Sequence, residues 1–168
     1  MKIIYNYLFL LFCILLFISK SSINNYAEKN INDYNFTLYI SKINLTRDVF
    51  KKYSNSNDVS KGIYLANEYV FSNKDDTLVL ASHSGNSSIS YFKNLDLLQV
   101  GDYVYTKNNI YENIYRIDKT YTINKNGKFR FSKKEKGIYL ITCDKKNGKK
   151  QLVFYGKMLK SIKNDLIF

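Results

Sequence analysis

The chain contains a single histidine, His83, and two cysteines, Cys13 and Cys143. Cys13 lies inside an apolar N-terminal run, which leaves Cys143 as the one thiol of the remaining chain. A cysteine and a histidine are the smallest set for thiol nucleophilic chemistry. The thiolate is the reactive form, and an imidazole beside it can move the proton. Each of the two sits just past the C-terminal end of an apolar run: Thr77-Leu78-Val79-Leu80-Ala81 leads into Ser82-His83, and Ile138-Tyr139-Leu140-Ile141-Thr142 leads into Cys143. Strand ends are where a rigid sheet presents side chains to a cleft. The plainer reading makes His83 an exposed loop residue and Cys143 a small apolar residue closing a strand. Composition alone does not separate the two.

The elements that must position these residues are short and β-like. Phe36–Ile40 alternates as a strand, and Ile43–Leu45 continues it after a break. Further strands are expected at Gly62–Ala66, Thr77–Ala81, Tyr103–Tyr105, Ile110–Ile117, Thr120–Ile123, Ile138–Thr142 and Leu152–Tyr155. The runs at 77–81 and 138–142 are continuously apolar, as for strands buried on both faces. Apolar residues at 91, 92, 95 and 98 predict a two-turn helix over Ser90–Leu98, ended by Gly101-Asp102. Asn124–Gly137 reads as a long loop around Phe129-Arg130-Phe131, and Asp144–Lys150 as a turn containing Asn147-Gly148. Seven or eight strands with one or two short helices make an all-β barrel or sandwich. No internal repeat, Gly-rich phosphate loop or paired-Cys motif is present.

A length of 168 residues suits one domain, and 45% hydrophobic with 24% charged residues excludes wholesale disorder. Two cysteines exclude a disulfide scaffold and a multi-thiolate zinc site. The net charge of +12 comes almost wholly from Lys, with Arg only at 47, 116 and 130. Scarce Arg and dispersed Lys argue against nucleic acid as a partner and for a solvated basic surface facing anionic lipid or cell-wall polymer. Ile3–Ile18 is apolar apart from Asn6 and flanking Tyr residues. At 1.5 Å per residue, ~16–18 residues span ~24–27 Å, enough for the hydrocarbon layer. The exit, Ser19-Lys20-Ser21-Ser22, lacks the small-residue pattern of a cleaved signal peptide. An uncleaved anchor over residues 1–20 is therefore preferred to a signal peptide. It would be followed by a linker over 21–35 and a domain over 36–168 outside the cytoplasm, with membrane lipid as a partner of the first segment.

Three strings together resemble the sortase family. The first is Thr77–Gly85 with its histidine, followed by Tyr91-Phe92-Lys93-Asn94-Leu95 through Gly101-Asp102. The second is Ile138–Cys143, similar to the family's strand ending in threonine and the nucleophile. The third is Tyr39–Leu45, similar to the family's opening strand with Ser41 in place of its usual proline. The resemblance covers about residues 36–160 and implies an eight-stranded sortase-type β-barrel with cysteine transpeptidase activity. In that reading Cys143 attacks the Thr–Gly carbonyl of an LPxTG-like sorting signal on a secreted protein, and His83 shuttles the proton. The acyl group then passes to an amine of a cell-wall precursor or a pilin lysine. No metal or organic cofactor is implied, and no calcium site is expected from 14 scattered carboxylates. Where the family carries an oxyanion-holding arginine on the strand after the cysteine, this chain has Gln151, with Lys149 and Lys150 beside it. A side-chain amide can donate to an oxyanion but carries no charge. Without the arginine, a non-catalytic binding protein or a hydrolase of the same signal are the competing readings. Thr142 is a candidate to touch the bound peptide, or an ordinary strand residue facing the core.

Overall fold

The computed structural model describes residues 34–68, 77–126, 129–131 and 136–164. The chain divides at Tyr34, and the second unit, Asn35–Phe168, carries all eight strands but the first residue of one. The expected anchor and most of the linker lie outside the described residues. Among those described, no helix is long and apolar enough to cross a membrane.

The strands are β1 (Tyr34–Ile40), β2 (Leu45–Phe50), β3 (Tyr64–Leu65), β4 (Leu78–Ala81), β5 (Tyr103–Lys107), β6 (Tyr111–Asn124), β7 (Gly137–Cys143) and β8 (Lys150–Lys163). They form one sheet in the order β2-β1-β5-β6-β8-β7-β4-β3. The sheet curls until its two edges nearly meet, and the segment after β2 clasps the seam. Lys52 Nζ donates to Ala66 O at 2.7 Å, while Asn57 donates to Lys52 O and Leu65 O and accepts from Leu65 N.

Alternation divides the core in two. Phe36, Leu38, Ile40, Leu78, Leu80, Tyr115, Ile138 and Leu140 fill the barrel. Val79, Tyr139, Ile141, Val153 and Tyr155 form a second cluster on the outer face, covered by Phe129 and Phe131. Thus β7 is buried on both faces from Gly137 to Thr142, as its unbroken apolar run predicts. Packing there is close enough that a Cβ on Gly137 would stand 2.1 Å from the Gly156 carbonyl oxygen.

Four expectations are corrected. Ser90–Leu98 is not a helix but a run of turns with a 3-10 turn at Leu95–Leu97. Phe92, Leu95 and Leu98 are buried at the predicted spacing, but two turns are too few to nucleate a helix, and Phe92 N–H bonds the His83 carbonyl instead. The described residues hold two 3-10 turns and no α-helix. Ile43–Leu45 does not extend the first strand: a 3-10 turn at Ser41–Ile43 and left-handed Asn44 (φ 49°) turn the chain into β2. Ile110–Ile117 and Thr120–Ile123 are one strand, β6, with a register shift between Ile117 and Lys119. β8 runs well beyond Tyr155 because β6 pairs with it along its whole length.

Candidate functional site

β4 and β7 are parallel neighbours in constant register, Leu78 with Ile138 through Ala81 with Ile141. Alignment persists past the strand end. Ser82 N donates to Ile141 O at 3.2 Å, and Thr142 Oγ1 donates to Ser82 O at 2.8 Å. Two residues beyond the Ala81–Ile141 pair stand His83 after β4 and Cys143 at the end of β7, and adjacent chains of a sheet are ~4.8 Å apart. Both residues are half-buried, and Cys143 is a free thiol.

On the other side of β7, Cys143 pairs with Gln151 of β8. Asp144 N donates to Lys150 O at 3.0 Å, making 144 and 150 a hydrogen-bonded pair. Pairs alternate along an antiparallel ladder, so Cys143 and Gln151 are a non-hydrogen-bonded pair, the type with the closer side chains. Both point to the outer face, as Tyr139, Ile141, Val153 and Tyr155 do two and four residues away. Cys143 and Gln151 are therefore level on β7 and β8, and His83 follows two residues past the end of the neighbouring β4.

The platform beneath is aromatic. Tyr139 lies 4.9 Å from Tyr155 and 5.3 Å from Phe129 between ring centroids, and Phe131 stacks on Phe129 at 6.1 Å. The segment before β7 is tied down by Tyr155 OH donating to Lys136 O. On the histidine side, Ser82 Oγ donates to Gly62 O at 3.2 Å, and Phe92 N donates to His83 O at 3.1 Å. The backbone of 82–83 is thus pinned. Thr142 is buried, and its hydroxyl proton is committed to Ser82 O. Its hydroxyl serves the joint between the two strands.

The β7–β8 turn is ordered by its own side chains. Asp144 Oδ1 accepts from Lys146 N, Asn147 Oδ1 from Lys149 N, and Asn147 O from Lys150 N. Lys145 ties the turn to the segment after His83 through Asp96 at 3.5 Å and the Lys93 carbonyl. Lys149 is exposed and Lys150 half-buried. Next to Gln151 a recess of about 570 Å³ is walled by Ile123, which pairs with Gln151, and by Asn124, Phe129, Arg130 and Lys150. A second recess, of about 530 Å³, borders the turn at Asp144–Lys146 and reaches Leu152 and Phe154. Sequence reasoning missed the phenylalanine wall, although Phe-Arg-Phe places two rings on one side of an extended segment and was the available signal. The Lys145–Asp96 tie had no sequence signal, since 49 residues separate the partners.

A thiol paired with an amide donor, beside a strand that leads into an imidazole, suits acyl transfer through a thioester. A family model, the sortase domain, matches residues 38–159. The chain belongs to the sortase family. Among solved structures, the barrel is similar to sortase A of Listeria monocytogenes, with a TM-score of 0.66 at 21% identity over 80% of this chain and 92% of that one. Sortase C1 of Streptococcus agalactiae aligns at 0.66 and 19% identity over 79% and 71%. Sortase C of Streptococcus pneumoniae aligns at 0.66 and 19% over 80% and 70%. At such identities these neighbours speak for the sortase fold. No curated protein sequence matches the chain at a significant level.

Proposed function

We propose that this sortase is a cysteine transpeptidase acting on an LPxTG-like sorting signal outside the cytoplasm, anchored to the membrane by residues 1–20. The Cys143 thiolate adds to the Thr carbonyl carbon, and the resulting oxyanion accepts a hydrogen bond from the Gln151 amide. Collapse breaks the Thr–Gly C–N bond, with His83 giving its proton to the leaving amine. The thioacyl enzyme then takes an amine nucleophile, His83 accepts that proton, and Cys143 is released. The acceptor is an amine of a cell-wall precursor or a pilin lysine; the pneumococcal sortase C that shares the fold has pilin substrates. The observation that supports the reading is the pairing of Cys143 with Gln151 beside the parallel strand that leads, two residues past its end, into His83. Incubating the protein with sorting-signal peptides and mapping the covalent adduct by mass spectrometry tests it: an acyl adduct is expected on Cys143 and none on Cys143→Ala.

A second reading, a sortase barrel that binds signal peptides without acylation, is favoured by one observation: Gln151 offers no charge opposite the thiol. Tight peptide binding with no adduct from any of several signals would select it. Release of free peptide acid with no amine transfer would select hydrolysis.

A further inference from the structure

The outer face of β1, β5, β6 and β8 carries a pattern that the site does not use. One row across these strands is Tyr39, Tyr105, Ile114 and Lys160; the next is Tyr103, Arg116 and Lys157. Leu38, Val104 and Tyr115, which alternate with them, are fully buried inside the barrel, so these rows face outward. Tyr39 and Tyr103 are 43% and 44% exposed, and both rings contact Tyr105, at 5.8 and 6.4 Å between centroids. Leu159, the extra residue where β8 shifts register beside Lys160, is also exposed. Three tyrosines thus make one aromatic strip, exposed at Tyr39 and Tyr103 with half-buried Tyr105 between them, flanked by three cations. The acid in the β5–β6 ladder, Glu112, stands opposite Lys107.

We propose that this face docks on an anionic lipid bilayer. Tyrosine combines an apolar ring with a polar tip and suits the headgroup layer, where Arg and Lys meet anionic lipid. Connectivity favours a bilayer over a wall polymer, and here the proposal rests on the anchor reading above. Residues 19–33 separate the apolar run from β1, and fully extended they reach at most about 50 Å, so an anchored chain keeps the domain within reach of the bilayer. Docking also leaves the site free. β6 and β8 separate the tyrosines of β1 and β5 from β7, and Lys157 and Lys160 lie toward the opposite end of β8 from Gln151, so a bilayer under the tyrosines leaves Cys143 uncovered.

The chain has no tryptophan, so Tyr39→Trp gives a protein with one indole. It is reconstituted with brominated lipids in phosphatidylcholine vesicles and in vesicles enriched in phosphatidylglycerol. The expected result is a blue shift and loss of Trp emission in the anionic vesicles only, reversed by high salt. Tyr53→Trp, on an 82% exposed residue outside the face, should respond in neither. Replacing Arg116, Lys157 and Lys160 together by Gln should abolish the response with circular dichroism unchanged. Equal emission in both vesicles, or a response that survives the triple replacement, overturns the proposal. So does a response to a soluble polyol-phosphate polymer with none to anionic lipid. If Tyr39→Trp does not fold, Tyr103→Trp answers the same question. Flotation with the phosphatidylcholine vesicles reports separately on the anchor: its failure there overturns the anchor alone, and anionic-only flotation lost in the triple variant supports docking.

Discussion

Cys143 and Gln151 stand opposite one another at the last rung of β7 and the second residue of β8, as a non-hydrogen-bonded pair. In such a pair the side chains approach more closely than the backbone bonds elsewhere in the ladder allow. The proposed oxyanion role of Gln151 rests on this pairing. Gln151→Ala should lower the acylation rate by ~10²–10³-fold with the fold intact, the usual cost of one lost oxyanion donor. Gln151→Arg should preserve or raise the rate, since a guanidinium adds donors and a charge. Single-turnover acylation followed by mass spectrometry is the measurement. A silent Gln151→Ala with a costly change at Lys149 or Lys150 would move the role to the turn.

Thr142 joins the two arms of the site through its bond to the Ser82 carbonyl. Thr142→Val keeps shape but removes the donor and leaves a buried carbonyl without it. Denaturant unfolding should show a loss of ~1–3 kcal/mol. Because Ser82 carries His83, the acylation rate should fall as well. A stability loss with unchanged kinetics would make Thr142 a purely structural residue.

The two strands that lead into the candidate site were legible in sequence. The unbroken apolar runs at 77–81 and 138–142 exposed two strands buried on both faces, and their following residues had to emerge at an end. That β4 and β7 are adjacent and parallel is a long-range fact, carried by no local string. The helix expected over Ser90–Leu98 shows the opposite limit. Its spacing correctly marks Phe92, Leu95 and Leu98 as buried anchors, but periodicity cannot tell a helix from turns pinned by a distant carbonyl. The fusion of 110–117 with 120–123 was hidden at the polar pair Asp118-Lys119, where the register shifts but the strand continues.

The seam of the barrel depends on Asn57, whose amide makes three bonds to the backbone of Lys52 and Leu65. Asn57→Ala should cost ~2–3 kcal/mol, since buried backbone groups lose their partners. Hydrogen exchange should rise first at Leu65. Nearby, hydrogen bonds from Ser60 N and Oγ, with Lys61 close by, hold the Asp58 carboxyl below its ordinary pKa. A depressed folded-state pKa contributes stability above the unfolded value, and this is lost as pH falls through the folded one. Asp58→Asn should therefore flatten the acid limb of the stability curve below about pH 4. The effect should be small, because the group is fully exposed.

Phe129 and Phe131 cover Tyr139, which lies two alternate positions below Cys143 on the same face. Both rings are half-buried, so each Ala replacement should cost less than the ~3–5 kcal/mol of a fully buried phenylalanine. The functional effect should be larger than the structural one at Phe129, because this ring also walls the recess beside Gln151 while Phe131 is not among its walls. Phe129→Ala should raise KM for the signal peptide with a smaller change in kcat, and Phe131→Ala should mainly lower stability. Steady-state transpeptidation set beside urea unfolding separates the two effects. Equal KM changes in both variants would mean that the segment acts only as a lid on the aromatic platform, and that peptide does not enter the recess at Phe129.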